Sequence, residues 1–200
     1  VKQRAFLYPE QIQHLLSHCD VIWLKLVIHL AFAGTLRKGE LLALTWQDVD
    51  WENNSIQISK TLKRVSREAL QALGCRDILY EFPPSAQPKK TVLVLKRPKT
   101  MSSHRKIFLP ETVMSLLREY YNLQGKQNPL SLTTYPNLIF QYKDGRPLQE
   151  TTLSKYFKSA LQRAGLPQVD FHSLRHSSIT YKLILSSGDI EAVQGDSGHA

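Results

Sequence analysis

The stretch FHSLRHSS, residues 171–178, sets His172, Arg175 and His176 close together. Histidine gains and loses a proton near neutral pH, and arginine grips a phosphate with a two-pronged, permanently charged fork. If the stretch is helical, His172 and Arg175, three apart, share a face, so proton transfer and anion clamping stand side by side. The plainer reading is a polar first turn of a helix, with His176 facing the core or supporting its neighbours. Arg37 follows Gly34-Thr35-Leu36 at an expected helix start, where outward-pointing N–H groups favour an anion. The alternative there is a solvated arginine, with Glu40 as its capping or ion-pairing partner. Lys99, in RPKTMSSHRK, stands at the tip or shoulder of a predicted hairpin. Its ammonium is a compact proton donor whose pKa neighbouring cations can lower; an edge-strand lysine that blocks aggregation fits the same place. Lys96, Arg97, Arg105 and Lys106 surround it and would make the hairpin a phosphate-contacting surface. His199, in GDSGHA, follows a glycine and by itself carries almost no weight.

The composition suits such chemistry without demanding it. Lys plus Arg is 26 against 17 Asp plus Glu, a formal net charge of +9. Domains this basic often meet nucleic acid or another polyanion, because each phosphate contact releases counterions; many soluble proteins are basic for other reasons. With 42% hydrophobic and 22% charged residues over 200 positions, the chain reads as one globular domain with a sizeable core. No apolar run reaches the roughly 20 residues that span a bilayer. The longest, 21–33, is interrupted by Lys25 and His29 and reads as a buried helix. The opening VKQRAFLYPE lacks the features of a signal peptide, and the absence of an initial Met reads as a fragment. Cys19 and Cys75 are isolated and read as reduced thiols of a cytosolic protein. No Asp/Glu cluster stands beside the histidines, so a metal-dependent nuclease fits poorly.

These residues need elements to carry them. Pro9 and Glu10 mark the start of a helix with Ile12, Leu15 and Leu16 on its apolar face. A second helix fits 21–33 and stops at Gly34. RKGELLALTW reads as a third, starting near Arg37, with Gly39 a mild cost in its interior. A β section follows. DVDWENNSIQISKTLK turns at Asn53-Asn54 with Ile56 and Ile58 facing one way. TVLVLKRPK and RKIFLP read as two strands joined by TMSSH. Residues 65–90 read as irregular, an insertion or extended hairpin with a short helix at SREALQAL. Helices return at PETVMSLLREYYNLQG, ETTLSKYFKSALQRAG and FHSLRHSSITYKLILSSG, and another begins at DIEAVQGDSGHA, while a Lys-Asp-Gly turn breaks NLIFQYKDGRPL. The order predicts a mainly α domain with a small antiparallel β-sheet, an α+β fold.

The joint order GTLRKGELLAL, PKTMSSHRKIFLP, FHSLRHSS, GHA resembles the tyrosine recombinase, or phage integrase, family, whose pattern is Arg, Lys, His-x-x-Arg, His or Trp, then a nucleophilic Tyr. The likeness runs from LYPEQIQHLL onward, and residues 137–176 are especially similar to integrases of conjugative transposons and phages. The resemblance implies the catalytic-domain fold of that family and site-specific integration of a mobile element through a 3′-phosphotyrosine, with no metal or cofactor. It implies that Arg37 and Arg175 clamp the non-bridging oxygens of the scissile phosphate, that Lys99 protonates the departing 5′ oxygen, that His172 moves the tyrosine proton, and that His199 donates a hydrogen bond to the phosphate. His176 becomes a support residue. The implied partners are double-stranded DNA, further protomers (two on one site, four in a synaptic complex) and an excisionase or DNA-bending protein. The implied location is the cytoplasm, at the nucleoid.

The chain departs from the pattern at its end. The family tyrosine falls about a helix's length beyond the last His, and Ala200 directly follows His199. Tyr181, on the helix of His172, does not match that position, and Tyr120, Tyr121, Tyr135 and Tyr156 are no better placed. The chain is therefore expected to be shortened, or to receive its tyrosine in trans, and residues 1–200 alone to bind DNA without cleaving it. The core-binding and arm-binding domains of the family are also expected to be missing. A type IB topoisomerase-like strand passer and a DNA-binding member without chemistry remain as rival readings.

Overall fold

The computed structural model describes residues 6–72, 76–83, 90–98, 104–128 and 136–185, with side chains through 179. Seven helices and six strands appear among them: α1 Pro9–Ser17, α2 Ile22–Ala33, α3 Lys38–Leu42, β1 Val49–Asp50, β2 Ser55–Ile58, β3 Thr61–Ser66, α4 Arg67–Ala72, β4 Ile78–Phe82, β5 Thr91–Lys96, β6 Arg105–Phe108, α5 Glu111–Gln127, α6 Glu150–Arg163 and α7 His172–Leu185. The architecture is the expected mainly α one, with the β content in small antiparallel sheets.

α2 holds the middle. Leu24, Leu26, Val27, Ile28, Leu30 and Ala31 are buried, while Lys25 and His29 stand half-buried on the remaining side; an apolar face this broad belongs inside a core. It packs against α3, α5, α6 and α7. α1 starts at Pro9 as expected, with the Gln11 side chain accepting the Tyr8 N–H at 2.9 Å. α3 is shorter than the sequence reading. Its C-terminal neighbours leave the helix because Asp48 Oδ2 accepts the Thr45 N–H at 2.8 Å and the Thr45 hydroxyl at 2.7 Å. That local Thr–Asp hydrogen bonding competes with helix continuation and starts a 3₁₀ turn at Trp46–Asp48.

The strands form two three-stranded antiparallel sheets, β1-β2-β6 and β3-β5-β4. The Asn53-Asn54 turn is present, with Asn54 at φ 49° and Asp50 opposite Ser55. The predicted hairpin between TVLVLKRPK and RKIFLP is not: β5 pairs with β3 and β4, and β6 pairs with β2. The strands exist, but their partners lie elsewhere in the chain. The 65–90 stretch also holds more order than expected. Its first residues finish β3, α4 follows as foreseen, and β4 pairs on β5. In β4 the register slips between Ile78 and Tyr80, and a bulge breaks the period of two by which a strand shows in sequence.

Gly39 has a spatial cause. A Cβ there would lie 2.6 Å from Thr61 Oγ1 and 3.1 Å from the Leu62 carbonyl oxygen. α3 therefore lies directly on the start of β3. Thr61 is the register partner of Lys96, so the end of the β3-β5-β4 sheet that carries Lys96 and Arg97 abuts the Arg37 helix.

Candidate phosphate site

α2 ends at Gly34, and the chain turns sharply through Thr35 before Arg37 caps α3. Thr35 is fully buried at φ 51°, a left-handed conformation that costs a branched residue energy. Its hydroxyl donates to the Gly34 carbonyl at 2.7 Å. Its own carbonyl accepts a hydrogen bond from Arg175 Nη1 on α7. Arg175, only 2% exposed, thus reaches from α7 to the turn that sets Arg37. The two arginines of the sequence reading, far apart in the chain, meet at one place.

Glu40 joins them. Its carboxylate accepts the Arg37 backbone N–H at 2.9 Å and Arg37 Nη1 at 2.8 Å. From the other side Arg105 donates through Nη2 at 2.9 Å and Nη1 at 3.2 Å, a two-pronged pair of high strength. Burial pushes the Glu40 carboxyl up, but the hydrogen bonds and charge of Arg105, and then those of Arg37, outweigh it and hold the group below its ordinary value. Arg175 is pulled down to about 10, first by burial and next by the positive charge of Arg37; Glu40 opposes the fall and Arg105 adds to it. It remains a cation at neutral pH. Among the described residues three guanidinium groups meet one carboxylate, so the cations of this cluster outnumber its anions there. Arg37, with its side chain 41% exposed, reaches solvent. A cluster of fixed donors of this kind stabilises a phosphate whose charge grows during reaction.

The remaining sequence candidates divide. His172 opens α7 on the exposed side, and its ring meets the half-buried His176 edge-on at a centroid distance of 4.7 Å. Arg105 was read as part of a phosphate-contacting surface, but its head is turned inward onto Glu40 with the side chain 8% exposed. The signal was available: β6 pairs Ile107 with the buried Ile56 and Arg105 with the buried Ile58, so a period of two sends Arg105 inward and Lys106 outward. Lys106 is exposed, pairs with Asp50 at 2.9 Å and lies 5.6 Å from the Phe108 ring centre. Lys106 and Asn53 together hold the Asp50 carboxyl below the usual range. Arg97 is exposed beside α3's end of the sheet, its N–H donating to the Asp77 carbonyl at 2.8 Å. Lys99 and His199 lie outside the described residues. Sequence reasoning missed Thr35, whose contribution is a backbone carbonyl that no side-chain type announces. Among the described residues no three His, Cys, Asp or Glu side chains gather as a metal-holding group, and no helix is long and apolar enough to cross a membrane.

Comparison with known proteins meets this geometry. Residues 5–76 and 86–200 match the model of the phage integrase family. Over 182 residues the chain is 29% identical to a "tyrosine recombinase XerC-like" protein of Caldanaerobacter subterraneus subsp. tengcongensis, covering 88% of this chain and 42% of that protein. Over 202 residues it is 26% identical to the ICEBs1 integrase of Bacillus subtilis, covering 99% of this chain and 48% of the relative. The chain thus spans less than half the length of these relatives. Among solved structures, the Tn1549 transposon integrase in complex with transposon right-end DNA shares the fold at a TM-score of 0.74 and 23% identity, over 100% of this chain and 59% of the other. The λ integrase catalytic core does so at 0.59 and 18%, over 98% and 92%.

Proposed function

We propose, since this chain belongs to the phage integrase family, that it supplies the phosphate-holding part of a tyrosine-type site-specific DNA recombinase that moves a mobile element. The observation that carries the reading is the meeting of Arg37 and Arg175 around the Thr35–Glu40 turn. The substrate is double-stranded DNA, for which the net charge of +9 and the cations Lys96, Arg97 and Lys106 supply attraction along the backbone. Arg37 and Arg175 hold the non-bridging oxygens of one phosphodiester. A tyrosine attacks the phosphorus and the 5′ oxygen leaves; the 3′-phosphotyrosine keeps the bond energy, so a new 5′ hydroxyl can reverse the step on another strand without an energy source. His172 serves the tyrosine proton, Lys99 the leaving oxygen and His199 the phosphate. The protein works on DNA in the cytoplasm, as pairs of protomers on each site and four in the synaptic complex.

The test is covalent trapping on nicked duplexes cut from the ends of the element that carries the gene, using protein expressed with whatever the gene encodes beyond Ala200. A DNA-linked protein that disappears in Arg175→Lys supports the reading. DNA binding at saturation with no adduct overturns it.

A further inference from the structure

We propose that Arg105 is a positioning residue of the phosphate site, acting through Glu40: it occupies the carboxylate that would otherwise neutralise Arg37, and so keeps Arg37 and Arg175 charged towards the anion. This rests on the reading of the cluster as a phosphate site. Three observations carry it. Arg105 is 8% exposed on a short strand whose neighbour Lys106 reaches solvent, so its head is committed to the interior. Both Glu40 oxygens are bonded by Arg105, while Arg37's side chain engages one. Arg105 Nε is buried with no hydrogen-bond partner among the described residues. A buried donor left unpaired is expensive and rare, and it asks for a reason outside simple packing. A purely structural ion pair would need one arginine for one glutamate. Here the second arginine raises the charge of the described cluster by one unit.

Charge substitution separates positioning from packing. Arg105→Met leaves Glu40 to Arg37 alone and lowers the charge of the cluster by that unit. Adding Glu40→Gln restores it without restoring the ion pair. The probe is inorganic phosphate, titrated at low ionic strength into the 200-residue chain and its variants, with thermal melting followed in parallel. Arg105→Met should bind phosphate about tenfold more weakly, the effect of one unit charge at close range in a partly buried site. Arg105→Met/Glu40→Gln should return to within about twofold of the unmodified chain, although the ion pair is gone. Arg105→Lys should keep phosphate affinity while melting lower, because an ammonium cannot match both carboxylate oxygens. If Arg105→Met melts lower but binds phosphate unchanged, or if the double variant binds as weakly as the single, Arg105 is structural and the proposal falls. If Arg105→Met does not fold, the double variant and Arg105→Lys decide by the same criteria. Phosphate binding that survives Arg175→Met, or none at all in the unmodified chain, overturns the phosphate site itself and this proposal with it. Binding lost in Arg175→Met but kept in Arg105→Met overturns this proposal alone.

Discussion

Replacing Glu40 with Gln tests the energetics of the cluster in the folded protein. Four donors converge on this carboxylate: the Arg37 N–H and Nη1, and Arg105 Nη1 and Nη2. All are donors, so an acceptor-only group suits the site. Gln keeps the shape but offers one acceptor oxygen and sets an NH₂ against guanidinium N–H groups. The Arg37 ion pair is i,i+3 with a 41% exposed arginine, and exposed pairs are worth about 0.5 kcal/mol. The Arg105 pair has both side chains less than a tenth exposed; removing one partner of such a pair costs about 3–5 kcal/mol, because the other charge stays buried and uncompensated. Glu40→Gln should therefore destabilise the chain by about 3 kcal/mol or more in urea unfolding at pH 7. The pH dependence has a definite sign. The folded pKa of Glu40 lies below its ordinary value of 4.5, so its contribution is fully present above that value and disappears as pH falls through the folded pKa. The stability gap between the two proteins should stay constant from pH 7 to about 5 and narrow below it. A gap under about 1 kcal/mol at pH 7, or one that widens on acidification, would refute this account of the cluster.

Gly39→Ala should cost more than the roughly 1 kcal/mol that helix propensity would return, because its Cβ meets Thr61 Oγ1 at 2.6 Å and the Leu62 backbone oxygen at 3.1 Å; a melting point at or above that of the unmodified chain would show that α3 can lift off β3. At Thr35, Gly should be nearly neutral, since relief of about 1–2 kcal/mol of left-handed strain offsets the lost hydroxyl bond to Gly34 and the greater freedom of the unfolded chain. Thr35→Val keeps the strain and orphans the buried Gly34 carbonyl, for a loss of about 1–3 kcal/mol; equal stability of the two variants in urea would contradict this. The Cys19 thiol is pushed up to about 11, chiefly by burial, against the pull of Lys25 and Arg163. Iodoacetamide at pH 8 should leave it unmodified in the folded chain and label it in urea, and peptide mapping that finds equal labelling in both would refute its burial.

What could be read from the sequence followed from how local each feature is. α1 and α5 carry their own start signals, α6 its apolar stripe, and α2 a long apolar run broken only by Lys25 and His29; each formed where those signals stood. Strand existence was local as well, but strand partnership was not. TVLVLK and RKIF lie close in the chain with a short polar link between them, the local signature of a hairpin. Yet β5 is claimed on both edges by β3 and β4, and β6 is taken by β2. Which edges are satisfied depends on the whole set of strands, so no window around 91–108 contains the answer.

The site divides along the same line. Arg37 and Arg175 were marked by residue type and position, and their meeting needed only that α7 pack on α2. Arg105 was marked too, but as one basic residue among four around Lys99. Its different fate follows from alternation, since Ile107 must face Ile56 and Arg105 shares its side of the strand. A charge sent inward by that constraint must find a countercharge, because an unpaired buried guanidinium would be prohibitively costly. Glu40 is that countercharge, and it was already the expected partner of Arg37. One carboxylate therefore serves two arginines as a consequence of strand register, and a third arginine, Arg175, enters the same cluster from α7 through a backbone carbonyl. The positive charge at this site is thus built into the packing of α3, β6 and α7.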